Sequence, residues 1–108
     1  MKKFKSKEFE KDCRICGAFN KAPLAIARAV TNKILATETL HTHSNGCEFY
    51  FFLRGKAEMQ VDSQFVSVQG GDVILIEPGE KHKVSKIIDE IDYISIKTNP
   101  DASDKKTH

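Results

Sequence analysis

The stretch His41-Thr42-His43-Ser44-Asn45-Gly46-Cys47-Glu48 combines two histidines, a carboxylate and a chain reversal within one short segment. Residues two apart on a β-strand project from the same face, with about 3.3 Å of rise per residue, so His41 and His43 aim their imidazoles at one point. Asn45-Gly46 suits a reversal because both residues tolerate positive φ. A turn there returns Glu48 beside His43 and adds an oxygen donor to two nitrogens. One facing histidine, His82, completes a set of metal-ligand type.

The elements that must position these groups read as strands. Leu24 to Val30 fits a strand through Leu24, Ile26 and small alanines, although Ala25 to Ala29 also tolerates a helix. Lys33 to His43 alternates and carries β-branched Ile34, Thr37, Thr39 and Thr42, predicting a strand that runs into the histidine pair. Cys47 to Arg54 is the most apolar strand. One face holds Glu48, Tyr50, Phe52 and Arg54, and the other holds Cys47, Phe49, Phe51 and Leu53. Gly55 is expected to end it, and Lys56 to Val61 resumes with Ala57, Met59 and Val61 on the inner face. Asp62-Ser63-Gln64 predicts a hairpin turn before Phe65 to Val68, and Gly70-Gly71-Asp72 a second before Val73 to Ile76. Pro78-Gly79 stops that strand, and Lys81 to Val84 and Ile91 to Lys97 read as two more. Short strands at roughly 8 to 12 residue intervals, with Gly, Asn, Asp and Pro turns between them, indicate an all-β sandwich or barrel.

Composition limits what such a barrel can do. The 108 residues make one domain with a single core, and 17 Lys+Arg against 15 Asp+Glu give a formal net charge of +2. That near-balance, without a basic block interleaved with aromatics, points away from nucleic acid. The basic start at Lys2, Lys3, Lys5 and Lys7 leads into Phe9-Glu10-Lys11-Asp12 rather than a signal-peptide core, and the apolar runs are too short to span a membrane, so a cytoplasmic protein is expected. Of Cys13, Cys16 and Cys47, one stays unpaired in any pairing scheme, which favours reduced thiols. Cys13-Arg14-Ile15-Cys16 has the spacing of a zinc knuckle or redox pair, but without a second C-x-x-C or a βαβ pattern two plain thiols are the simpler reading.

Two longer patterns carry more information. His41-x-His43-x4-Glu48-x6-Gly55 resembles the first signature of the cupin family of small jelly-roll barrels, and Gly71-Asp72-Val73-Ile74-Leu75-Ile76-Glu77-Pro78-Gly79-Glu80-Lys81-His82 resembles the second. Leu35 stands where the first signature usually has Gly, Glu77 where the second has Pro, and Lys86 where an Asn often follows. None of these departures removes a ligand. The resemblance implies a cupin-type double-stranded β-helix (jelly-roll) barrel over residues 24–97, preceded by an N-terminal segment, 1–23, that packs on the barrel or on a partner, and followed by a polar tail, 98–108. It also implies that His41, His43, Glu48 and His82 ligate a divalent transition metal: Fe, Mn, Ni, Zn or Cu.

Tyr50 and Phe52, with Met59 and Val61, either wall a small pocket or pack as ordinary core. The Tyr50 hydroxyl can donate to a metal-bound oxygen, and Glu48 can act as ligand and base, which makes these two the catalytic candidates. Cys47 is expected to face outward in a structural role, Arg54 to be a solvated strand end, and His108 to lie in the tail. The apolar outer row Phe49, Phe51 and Leu53 calls for a cover, so a homodimer is expected.

The family likeness suggests a small metal-dependent enzyme of dioxygenase type. The alternatives are a non-catalytic module that senses or stores a metal or small ligand and, third, a sugar isomerase. The sequence shows no cluster of inward-facing Arg or Lys to orient an anion, so a neutral or apolar substrate is expected.

Overall fold

The computed structural model describes residues 1–35, 39–101 and 105–108. Its strands are β1 (Lys7–Glu10), β2 (Cys13–Cys16), β3 (Ala25–Thr31), β4 (His41–His43), β5 (Glu48–Val61), β6 (Gln64–Gln69), β7 (Val73–Ile76), β8 (His82–Lys97) and β9 (Lys105–Thr107), with a 3-10 turn at Ala18–Asn20. Neighbours run β1-β2-β3-β8-β4-β9, while β5 pairs with β6, β7 and β8. The antiparallel sheet curls into the expected jelly-roll barrel.

The two long strands, β5 and β8, bind it together. The first half of β5 lies between β7 and the end of β8, with Glu48 opposite both Ile76 and Lys97. Its second half lies between β6 and the start of β8, with Val61 opposite both Gln64 and His82. Lysine 97 to isoleucine 91 of β8 pairs on its other edge with β3, from Ala25 to Thr31.

Gly55 does not end the strand as expected. It sits inside β5 at φ +93, and a Cβ there would lie 2.0 Å from the Glu90 carbonyl oxygen. The register shifts on both sides of it, so the glycine is the kink that lets one strand serve two neighbours. The segments expected as two strands at Lys81–Val84 and Ile91–Lys97 fall in one 16-residue strand, His82–Lys97, in which Asp89 stays paired with Lys56 beside this kink.

The expected inside-outside alternation is present. Phe52 is fully buried, whereas Phe49, Phe51 and Leu53 are 38%, 41% and 41% exposed. Ala29, Tyr50, Phe52, Ala57, Met59 and Ile91 belong to the core, with Val61 packed against it.

One expectation needs correction, and two segments carry structure that their composition did not indicate. Residues 1–23 contain a β1–β2 hairpin, with Asp12 at φ 71 in its turn. The strand expected from Lys33 to His43 is confined to His41–His43 among the described residues, and 36–38 lie outside them. The Lys33 N–H donates to Thr31 Oγ1 at 3.0 Å, a local turn that ends β3 and withholds Lys33 from a ladder. The polar tail also forms structure, since Lys105–Thr107 pairs along β4 with His41 opposite Thr107 and His43 opposite Lys105. His108 follows it, 3.0 Å from Thr42 Oγ1 through Nε2. Among the described residues no helix is long and apolar enough to cross a membrane.

Candidate metal centre

His41 and His43 are buried on the inner face of β4, with Thr42 between them pointing away. The turn that follows depends on Gly46, at φ +81, where a Cβ would lie 2.5 Å from Thr98 Oγ1. The same hydroxyl accepts the Cys47 N–H at 2.9 Å, tying the turn to the end of β8. Glu48 then opens β5. It reaches His43 without any β4–β5 ladder, because β4 pairs with β8 and β9. His82 opens β8, fully buried, as the ladder partner of His41.

The four side chains converge. Glu48 Oε1 lies 2.8 Å from His82 Nε2 and 3.4 Å from His43 Nε2. One ligand-type atom from each of His41, His43, Glu48 and His82 lies within 4.8 Å of all the others. Ligands about 2 Å from a common ion stand roughly 3 to 4 Å apart, so this spacing fits a single ion after slight contraction. Three nitrogens and one oxygen suit a borderline divalent metal.

Backbone carbonyls orient the rings. His41 Nδ1–H donates to the Thr39 carbonyl, and His82 Nδ1–H donates to the Glu80 carbonyl at 2.9 Å. A carbonyl only accepts, so each ring turns its Nε2 toward the common point. Burial holds the His41 pKa down to about 4, keeping the ring neutral as a ligand must be. Burial opposes ionisation of Glu48, but hydrogen bonds from His43 and His82 outweigh it and set the carboxyl at about 2.

A cavity of about 520 Å³ opens onto His41, His43 and Glu48. Ala25, Ala27 and Ala29 line one wall from β3, and their small side chains leave the space vacant that larger residues would fill. Tyr50, Tyr93 and Ser95 also line the cavity, as do Phe9 and Ile15 of the N-terminal hairpin. Of the residues proposed for the pocket, Tyr50 lines this cavity, its ring 6.0 Å from that of His82 and edge-on to it. Phe52, Met59 and Val61 pack in or against the apolar core and are not among the lining residues.

The lining includes cations. Lys97 is buried, with Nζ 3.2 Å from His43 Nδ1 and donating to the Asp101 carbonyl at 3.2 Å. Lys7 and Lys105 also line the cavity, and Glu48 is its acidic member among the described residues. Against the expectation that no cluster of Arg or Lys faces inward, Lys97 is one buried cation, while Lys7 and Lys105 are exposed. Parity along Ile91, Tyr93, Ser95 and Lys97 was the available signal, since alternate residues of a strand share a face.

Cys13, Cys16 and Cys47 are free thiols. Cys13 and Cys16 line the cavity and stand outside the His/Glu cluster, and Cys16 Sγ accepts from Asn20 Nδ2 at 3.3 Å.

The family profile described as the Cupin domain matches residues 35–91. An uncharacterized protein of Methanocaldococcus jannaschii, MJ1618, is 38% identical over 48 residues, which are 44% of this chain and only 38% of that relative. Among solved structures, the nucleoside dehydratase Pac13 of Streptomyces superposes with a TM-score of 0.73 at 13% identity, over 99% of this chain and 92% of that one. Oxalate decarboxylase of Bacillus subtilis superposes with a TM-score of 0.66 at 20% identity, over 88% of this chain and 27% of that one. At these identities the structural likenesses speak to the fold alone.

Proposed function

The chain belongs to the cupin family, and from that premise we propose that it is a small metal-dependent enzyme of dioxygenase type whose metal is held by His41, His43, Glu48 and His82. The observation that carries this reading is the convergence of four buried ligand residues, three of which line a cavity large enough for a small molecule. A bound divalent ion would supply Lewis acidity and open coordination positions for substrate oxygen or dioxygen.

The chain's own groups have distinct roles in this proposal. Tyr50 flanks the centre, and its hydroxyl orients the bound substrate. Glu48 is both ligand and the nearest carboxylate for moving a proton. The alanine wall, Phe9 and Ile15 give the cavity an apolar lining beside the centre.

The test is oxygen consumption by iron- or manganese-loaded protein across a panel of diols, thiols, enols and small carboxylates. Turnover is expected with at least one metal form. Tight metal binding without turnover by any form would favour the second reading, a module that senses or stores a metal or small ligand. Lys97, a single buried cation in the lining, weakens the reason for preferring a neutral or apolar substrate.

The outer sheet supports a homodimer. Phe49 pairs with Leu75 and Phe51 with Val73 across β5 and β7, and all four side chains are exposed, making one apolar surface. Three reduced thiols suit a cytoplasmic setting for such a dimer.

A further inference from the structure

We propose that Ser95 is a specificity-determining residue of the cavity, hydrogen-bonding an uncharged oxygen, hydroxyl or carbonyl, at the end of the substrate away from the metal centre. This inference rests on the metal-centre reading and names a chemical feature of the molecule that centre takes.

The ladder register places Ser95. It stands opposite Tyr50 of β5 and opposite Ala27 of β3, and Ala27 stands opposite Ile15 of β2. Ile15, Ala27, Ser95 and Tyr50 thus form one row across four strands, and all four line the cavity. The row on one side contains Glu48 of the metal centre, opposite Lys97. In the row on the other side Ala29, Tyr93 and Phe52 are buried in the core. Ser95 shares the inward parity of Tyr93 and Lys97 yet is only half-buried, so its open surface belongs to the cavity. Diagonal neighbours in a ladder stand about 7 Å apart, which lets one small ring reach from Glu48 to Ser95.

The hydroxyl is available for such a contact. Among the described residues Ser95 Oγ has no protein partner, whereas Ser85 Oγ, earlier in β8, donates to the Glu58 carbonyl at 3.0 Å. The other polar groups nearby are engaged: Glu48 with His82, Cys16 with Asn20, and Tyr50, Tyr93 and Lys97 with partners of their own. A hydroxyl covered by a ligand must exchange its bonds to solvent for bonds to that ligand, so an analogue with a methyl group at this point is disfavoured. Serine both donates and accepts and carries no charge, which suits a hydroxyl or carbonyl rather than an anion. Ala27 beside it contributes room, because two small side chains at facing ladder positions leave space for a flat ring.

Kojic acid and allomaltol test this, being uncharged, metal-chelating pyranones that differ by one hydroxyl on the far side of the ring. Both are titrated calorimetrically into metal-loaded full-length protein, with metal content measured on the same sample. Kojic acid should bind about fivefold or more tightly than allomaltol. Ser95→Ala should bring the two within about twofold with metal content unchanged, and Ala27→Leu should weaken both. Equal affinities in the wild type, no binding of either compound, a preference that survives Ser95→Ala, or undiminished binding by Ala27→Leu would overturn the assignment. The wild-type comparison stands even if a variant does not fold. Protein that holds its metal but does not distinguish the pair refutes the role of Ser95 alone. Protein that holds no metal yet prefers kojic acid through Ser95 retains the subsite and refutes the metal reading alone.

Discussion

His82 Nε2 and Glu48 Oε1 meet at 2.8 Å although the two residues are 34 positions apart in the chain. Each opens a long strand, yet the antiparallel β5–β8 ladder sets Glu48 opposite Lys97 and His82 opposite Val61, so it is the bending of this pair that brings the two openings together. Their hydrogen bond occupies the ligand atoms that an ion needs, so the metal-free site is held in shape by the protons that metal replaces.

Metal binding should therefore release protons and weaken on acidification. Calorimetry at pH 7 in two buffers of different ionisation enthalpy checks this. Heats that differ between the buffers are expected, and identical heats would show that no proton leaves.

The metal-free protein should also lose stability in acid, in two overlapping windows. His41 titrates at about 4 when folded, below its ordinary 6.5, so the unfolded chain takes up the proton first and stability falls as pH drops from about 6.5 to 4. Glu48 is depressed from 4.5 to about 2, and its contribution is present above 4.5 and lost as pH falls toward 2. Urea midpoints should decline from pH 7 to pH 4, and the decline above pH 5 should shrink in His41→Gln.

Gly55→Ala should destabilise by about 2 kcal/mol or more, because positive φ and a collision with the Glu90 carbonyl act together. Gly71→Ala is the matched control, with φ +97 but no atom within 4 Å of the added Cβ, and should cost less. Equal urea midpoints for the two variants would show that Gly55 is not a packed kink.

Light scattering at tens of micromolar, roughly a permissive concentration for a stable interface, should give twice the chain mass. Phe51→Asp, on the exposed apolar row, should give a monomer with an unchanged circular dichroism spectrum. A monomeric wild type would remove the dimer.

The site was more legible than the fold around it. His41, His43 and Glu48 lie in one short segment whose spacing carries their chemistry, and the His82 segment adds a second local pattern. Pairings set by distant strands were harder to read. Gly55 looks like a stop, but the facing bulge in β8 makes it a bend, and Asp89-Glu90 looks like a turn for the same reason. The polar Lys105–Thr107 forms a strand because β4 offers it an edge, not because its side chains favour one. Lys97 followed the inward parity of its strand, yet a lysine at a strand end ordinarily reads as solvated.

The most direct measurement is metal stoichiometry by elemental analysis of wild type and His82→Ala after loading with a divalent transition metal and desalting. One ion per chain in the wild type and almost none in a still-folded His82→Ala is the expected result. Wild type without metal, or His82→Ala with an undiminished content, would contradict the assignment of this centre.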